Sequence, residues 1–163
     1  PYATEDQYKS IVSGREVRLG AYGDPAAIPI PLWNSLVRHA DGWTGYTHQW
    51  REPDVQSFRW LCMASVETPQ DVQRAHALGW RTFRVRSESD PVLAGVEIPC
   101  PASPEGGNRL KCIDCLLCSG MAKHPSARSV VIVDHGPLSP QSRARRSAGA
   151  KARAAARKAA AAQ

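Results

Sequence analysis

Short apolar runs bounded by turn signals alternate along this chain with segments whose apolar residues recur at helical spacing. Val17–Tyr22 reads as a strand that ends in Gly23-Asp24-Pro25. Pro29 and Pro31 suit a helix entry; Leu32, Trp33, Leu36, Val37 and Ala40 then keep helical spacing, and Gly42 is the expected end. A second strand is expected over Thr44–His48, a short helix or turn over Asp54–Phe58, and a third strand over Trp60–Ser65. Thr68 is a good N-cap, Pro69 suits the first helical position, and Asp71 stands three residues after the cap. Val72, Ala75 and Leu78 supply the inner stripe of that helix, and Gly79 is its expected C′ residue. Trp80–Val85 reads as a fourth strand and Ser129–Val133 as a last, buried one.

This alternation predicts an α/β fold: a partial (β/α) barrel-like parallel sheet of about five strands, too few for a closed eight-stranded barrel. Right-handed crossovers put every strand C-terminus on one edge, where α/β folds carry their chemistry. Asp24, His48, Arg86 and His135 follow the strands directly, and Glu67 stands a little beyond the third. Of these, Asp24, His48 and Arg86 are the candidate catalytic residues. Asp24 is read as an acid/base or hydroxyl binder and Arg86 as an anion clamp. Competing with this, Gly23-Asp24-Pro25 is an ordinary turn signal. Thr47, His48, Gln49 and Trp50 could together bind an anionic or planar ligand, or simply end a strand. Arg84 and Arg86 share a face by the period of two and predict either a basic patch at the sheet edge or a solvated edge.

Composition divides the chain in two. Residues 1–136 read as the α/β domain, including a cysteine-rich loop over 99–120, and residues 137–163 as a Pro/Ser linker and an Ala/Lys/Arg-rich tail. Of the 21 basic residues, seven lie in 142–163 with no acid, leaving 14 against 15 acidic side chains elsewhere. The net charge of +6 therefore belongs to the tail. No large apolar side chain follows Leu138, so the tail is expected to be disordered or helical and outside any core. Its charge suits phosphate contact with a nucleic acid, or a solubilising extension. It lacks aromatic residues for base stacking. No apolar run approaches the ~20 residues needed to span a bilayer, so no membrane partner is expected. No signal-peptide pattern opens the chain, which predicts a cytoplasmic protein.

Four of the five cysteines fall in one short window. Cys112, Cys115 and Cys118 stand at C-x2-C-x2-C, preceded by Cys100 in Ile-Pro-Cys-Pro. Thiolates gathered this tightly point to a shared soft metal. The triple spacing with a remote Cys-Pro favours an iron–sulfur cluster of the 4Fe-4S type, whose irons accept successive ligands from one short loop. Zinc is the alternative, although zinc sites commonly use paired hooks. Asp114 and His124 are nearby substitute ligands. Cys62, in Trp-Leu-Cys-Met-Ala-Ser, reads as a small buried side chain.

The segments Val-Arg-Leu-Gly-Ala-Tyr-Gly-Asp-Pro (17–25), Gly-Tyr-Thr-His-Gln-Trp (45–50) and Met-Ala-Ser-Val (63–66) resemble an uncharacterised cysteine-rich family of phages, plasmids and bacterial genomes. So do Gly-Trp-Arg-Thr-Phe-Arg-Val (79–85), Cys100-Pro101-Ala102 and the triple cysteine motif. The likeness runs from about Val17 to His135. It extends, more distantly, to phage proteins that carry a radical S-adenosylmethionine-like barrel. The resemblance implies a further cysteine-rich segment before the first strand, so the chain, which opens on Pro1, is expected to be N-terminally incomplete. The expected function is a metal-binding, iron–sulfur α/β protein of mobile-element type, the C-terminal part of a radical-enzyme-like barrel. The alternative is a non-enzymatic nucleic-acid-associated module with a structural zinc and a basic arm.

Overall fold

The computed structural model of the protein describes residues 4–134. His135, the linker and the basic segment 142–163, with the nucleic-acid contact expected of it, lie outside the described residues. Among the described residues no helix is long and apolar enough to cross a membrane.

The elements run α1 (Glu5–Val12), β1 (Glu16–Leu19), α2 (Ile30–Val37), β2 (Gly42–Thr47), β3 (Met63–Val66), α3 (Pro69–Ala77), β4 (Thr82–Arg86), β5 (Glu97–Pro99), α4 (Cys112–Cys115) and β6 (Ser129–Val133). Short 3-10 segments lie at Pro25–Ala27, Pro53–Trp60 and Pro104–Gly106. The strands form one open parallel sheet in the order β1-β2-β3-β4-β6-β5. All six strand C-termini therefore share an edge, as the alternation predicts.

Several boundaries differ from those read in the sequence, for local reasons. β1 stops at Leu19 because Gly20 turns the chain at φ +72°, and a Cβ there would lie 2.5 Å from the Gly23 carbonyl oxygen. Gly42 opens β2 instead of ending α2. Trp60 belongs to the 3-10 segment, so β3 begins only at Met63. Thr68 caps α3 as expected, its hydroxyl accepting from the Asp71 amide at 3.1 Å. Leu78, however, is the C-cap residue and is 46% exposed, so the buried stripe of α3 is Val72 and Ala75 alone. Cys62 is fully buried, as its apolar setting implies.

The two faces of the sheet carry different cores. Leu19, Trp43, Ala64 and Val66 pack with Trp33 and Val37 of α2 and Val72 and Ala75 of α3. On the other face Met63 and Val130 pack with Tyr46, Phe83 and Ile98, and the cover is the cysteine loop through Cys100, Leu117 and Cys118. α2 and α3 thus cover one side, where Cys62 also packs, and the cysteine loop covers the other.

β5 has only three residues, one of them Glu97, and hydrophobic patterning does not reveal it. An ion pair holds it. Arg84 and Glu97 have no side-chain exposure and meet through two hydrogen bonds of 2.7 Å, Nε to Oε1 and Nη2 to Oε2. Nη2 also donates to the Pro91 carbonyl, and Oε2 accepts from the Leu93 amide. Arg84 is therefore part of neither a basic patch nor a solvated edge; its register partner is the buried Val131.

Removing one member of such a pair leaves the other charged and buried. Arg84→Met or Glu97→Gln should each lower unfolding stability by about 3–5 kcal/mol. The double variant Arg84→Met/Glu97→Met should lie closer to the parent than either single change, as urea unfolding would read.

Candidate metal centre

The cysteine loop begins where β5 ends. Cys100 donates its amide to the Val131 carbonyl at 2.9 Å, one more rung of the β5–β6 pairing. Its own carbonyl accepts from the amide and hydroxyl of Ser103, at 2.9 and 2.8 Å. Gly106 packs so closely over this turn that a Cβ would fall 2.0 Å from the Cys100 oxygen. The chain then forms α4, a single turn carrying Cys112 and Cys115, which Leu116 ends in the left-handed region at φ 50°. Cys118 follows and is buried, its carbonyl accepting from the Gly45 amide of β2 at 3.0 Å.

Arg81 secures the far side of the loop. It is 4% exposed and donates to the carbonyls of Leu117 and Gly120 through Nη1, Ala127 through Nε and Arg128 through Nη2. Four carbonyls that face no strand partner are satisfied by one guanidinium. Burial draws the Arg81 pKa below its usual value, with the nearby Cys118 acting in the opposite sense.

These anchors bring Cys100, Cys112, Cys115 and Cys118 around one cavity, closed on the sheet side by Thr44, Tyr46 and Val130. Its volume is about 20 Å3, room for one water-sized occupant. Cys112 is exposed, Cys100 and Cys115 are half-buried, and all five cysteines of the chain are free thiols. Neither Asp114 nor His124 lines the cavity. As placed, no three His, Cys, Asp or Glu side chains among the described residues stand close enough to hold a single ion. Burial pushes the Cys118 thiol up to about 12; the neighbouring Tyr46 hydroxyl works against that rise, and Cys100 and Cys115 add to it. Cys100 is also raised, again chiefly by burial.

A scan against protein-family models and searches of curated proteins and solved structures found no match.

The strand-end residues are distributed differently. Asp24 and His48 come together, with His48 Nδ1 3.8 Å from the carboxylate. The Asp24 carboxylate already accepts from the Ala26 amide at 2.9 Å and from the Thr47 hydroxyl and His48 amide, each at 2.8 Å. It ties the exit of β1 to the exit of β2, while the His48 side chain is 77% exposed. Thr47 and Trp50 do not join a ligand surface; both are buried, and the Trp50 indole donates to the Ser65 carbonyl at 3.1 Å. Arg86 stands apart from this pair, two strands along the sheet. Nη1 donates to the carbonyls of Ser87, Glu88 and Asp90, and Nη2 meets the Glu105 carboxylate. Glu105 in turn accepts from the Val133 amide at 2.6 Å. Arg86 therefore fastens the 3-10 turn of the cysteine loop to the ends of β4 and β6.

Sequence reasoning missed Arg81, Glu105 and Tyr46 as contributors to this site. Each acts through long-range contacts that spacing does not encode. The only available signal was an arginine at the head of a buried strand.

Gly106→Ala should force the Cys100 turn outward at a cost of about 1–3 kcal/mol. Alkylation of Cys100, followed by peptide mass mapping, should accelerate while Cys62 stays protected.

Proposed function

We propose that this protein binds an iron–sulfur cluster through Cys100, Cys112, Cys115 and Cys118. The observation that carries the reading is the convergence of these four side chains, from loop regions on either side of residue 105, on one cavity beneath an ordered sheet. The donor set is all sulfur, matching the softness of such a centre. A cubane distributes its thiolates over separate irons, whereas zinc draws four ligands onto one point.

A cubane core needs more space than the present cavity. Cys112 is exposed and α4 is one turn long, so a cluster would need that turn to shift outward. Bound there, the group would supply one-electron chemistry. The chain would shield it on the sheet side with Tyr46 and Val130 and hold Cys118 from behind through Gly45. We extend the proposal to a place in a radical S-adenosylmethionine-like enzyme, the class that the sequence resemblance implies. The parallel sheet, with α2 and α3 on one face and the cysteine loop on the other, supports that layout.

Anaerobic reconstitution with iron and sulfide should give brown protein whose visible absorption bleaches with dithionite, with iron and sulfide in equal amounts. Cys115→Ala and Cys118→Ala should each lose most of the bound iron. A colourless protein holding one tightly bound zinc would overturn the cluster and support the zinc-stapled, nucleic-acid-associated reading instead.

Loading must displace protons from thiols whose pKa lies above neutrality, about 12 for Cys118 and raised for Cys100. A raised thiol pKa means that the thiolate fraction, and with it the metal affinity, grows with pH. Iron retention against a chelator whose own affinity is corrected for pH should therefore increase from pH 6.5 to pH 8.5, without a plateau in that interval.

A further inference from the structure

A second cleft opens at the N-terminal edge of the sheet and shares no lining residue with the cysteine cavity. It lies between the end of α3, the turn before β5 and the segment that leads into β6, and its volume is about 360 Å3. That volume falls within the range of small-molecule sites, which combine apolar walls with a few convergent polar groups. Here Trp80, Val96 and Met121 line the apolar part, and His76, Ser129 and Arg128 add the polar groups.

His76 and Ser129 form a connected pair. Ser129 opens β6 and is 2% exposed; its hydroxyl oxygen accepts from the Thr82 amide of β4 at 2.9 Å. Nε2 of His76, on α3, lies 2.9 Å from the same oxygen. A hydroxyl can accept twice and donate once, so this contact serves either state of the ring. A neutral ring receives the serine proton at Nε2, whereas a charged ring donates there. His76 Nδ1 has no hydrogen-bond partner among the described residues, which leaves that nitrogen for a ligand.

The cleft also carries one sign of charge. Arg81, Arg128 and His76 line it, and no aspartate or glutamate does. Arg81 is consumed by its four carbonyls. Arg128 is exposed, and its guanidinium has no ion pair or hydrogen bond among the described residues. Of the nearby acids, Glu97 is buried against Arg84, and Asp71 on α3 is occupied by Arg51 and Arg74.

We propose that this cleft binds a small organic anion with an apolar body, Arg128 supplying the counter-charge and His76, backed by Ser129, a hydrogen bond. The inference is independent of the iron–sulfur reading. Partial burial holds the His76 pKa below its usual value, with the Glu97 charge acting in the opposite sense, so the ring is neutral at pH 7.5. A bound anion favours the charged ring. Proton and anion therefore assist each other, and affinity rises as pH falls below neutrality.

The test titrates benzoate, and benzamide as its uncharged counterpart, into the isotope-labelled full chain at pH 5.5, 6.5 and 7.5, with amide NMR shifts as the readout. Benzoate should bind saturably, with its largest shifts at Gly79, Gly95, Met121 and Ala127, and more tightly at pH 5.5 than at pH 7.5. Benzamide should bind more weakly. Arg128→Gln, a change at an exposed position, should weaken benzoate about fivefold and leave benzamide unaltered. His76→Gln should abolish the pH dependence. Shifts scattered over the surface, equal affinity for the two probes, or parent-like benzoate binding by Arg128→Gln would each overturn the proposal. A benzoate affinity in the parent that does not change with pH would overturn the part assigned to His76.

Discussion

The buried pair of Arg84 and Glu97 is the constraint on which the site geometry depends. A three-residue strand with a carboxylate at its head has little intrinsic reason to join a sheet. Glu97 finds its counter-charge on β4, reaching past β6, and the pair also gathers the Pro91 carbonyl and the Leu93 amide from the connecting loop. A desolvated ion pair gives modest net stability, because the cost of leaving water offsets most of the attraction. Its contribution here is one of specificity. Unpaired, either charge would be intolerable in that core, so β5 has one acceptable register, and that register places Cys100 beside Val131.

β4 repeats this device along its length. Arg81, just before the strand, binds four carbonyls around the end of the cysteine loop. Arg84, in its middle, fixes the strand that launches the loop. Arg86, at its end, fastens the loop's 3-10 turn through Glu105. Arginine suits all three positions because its planar fork can serve several oxygens at once and stays charged when buried. One strand thus holds a long loop at three levels, and the loop needs little hydrophobic core of its own. The smaller cluster on that face contains only Met63, Cys118 and Val130 as fully buried members.

The parts of the fold legible from sequence are those written in local chemistry. Thr68, Pro69 and Gly79 mark α3 because caps and turns act over three or four residues. β6 is legible because Val130, Val131, Ile132 and Val133 form an uninterrupted apolar run, the signature of a buried parallel strand. β5 and α1 were not legible. The first is held by an ion pair thirteen residues away in sequence, and α1 buries only Val12 and relies on a Thr4–Gln7 capping box. Arg84 and Arg86 read as an exposed edge because charged residues usually are exposed. Nothing local to β4 reveals the carbonyls and carboxylates that await them. The cysteine motif predicts convergence from spacing alone, yet where Cys100 stands relative to the triple depends on the hidden strand.

The same distinction separates the two ends of the sheet edge. Asp24 and His48 are adjacent, as the strand-end rule anticipates, but the Asp24 carboxylate accepts three hydrogen bonds from its own chain. A carboxylate so occupied fixes loops. To act on a ligand it would have to surrender bonds that hold β1 to β2. The cysteine cavity has the opposite character. Two of its thiols, Cys100 and Cys118, are desolvated and raised in pKa, and in return they gain only the weak hydrogen bonds that sulfur can make. Groups gathered at such a cost, by three arginines and a glycine that admits no Cβ, are left with chemistry to give away. On the proposed reading that chemistry is metal binding, and loading the centre would return to the loop the stability that its small core does not provide.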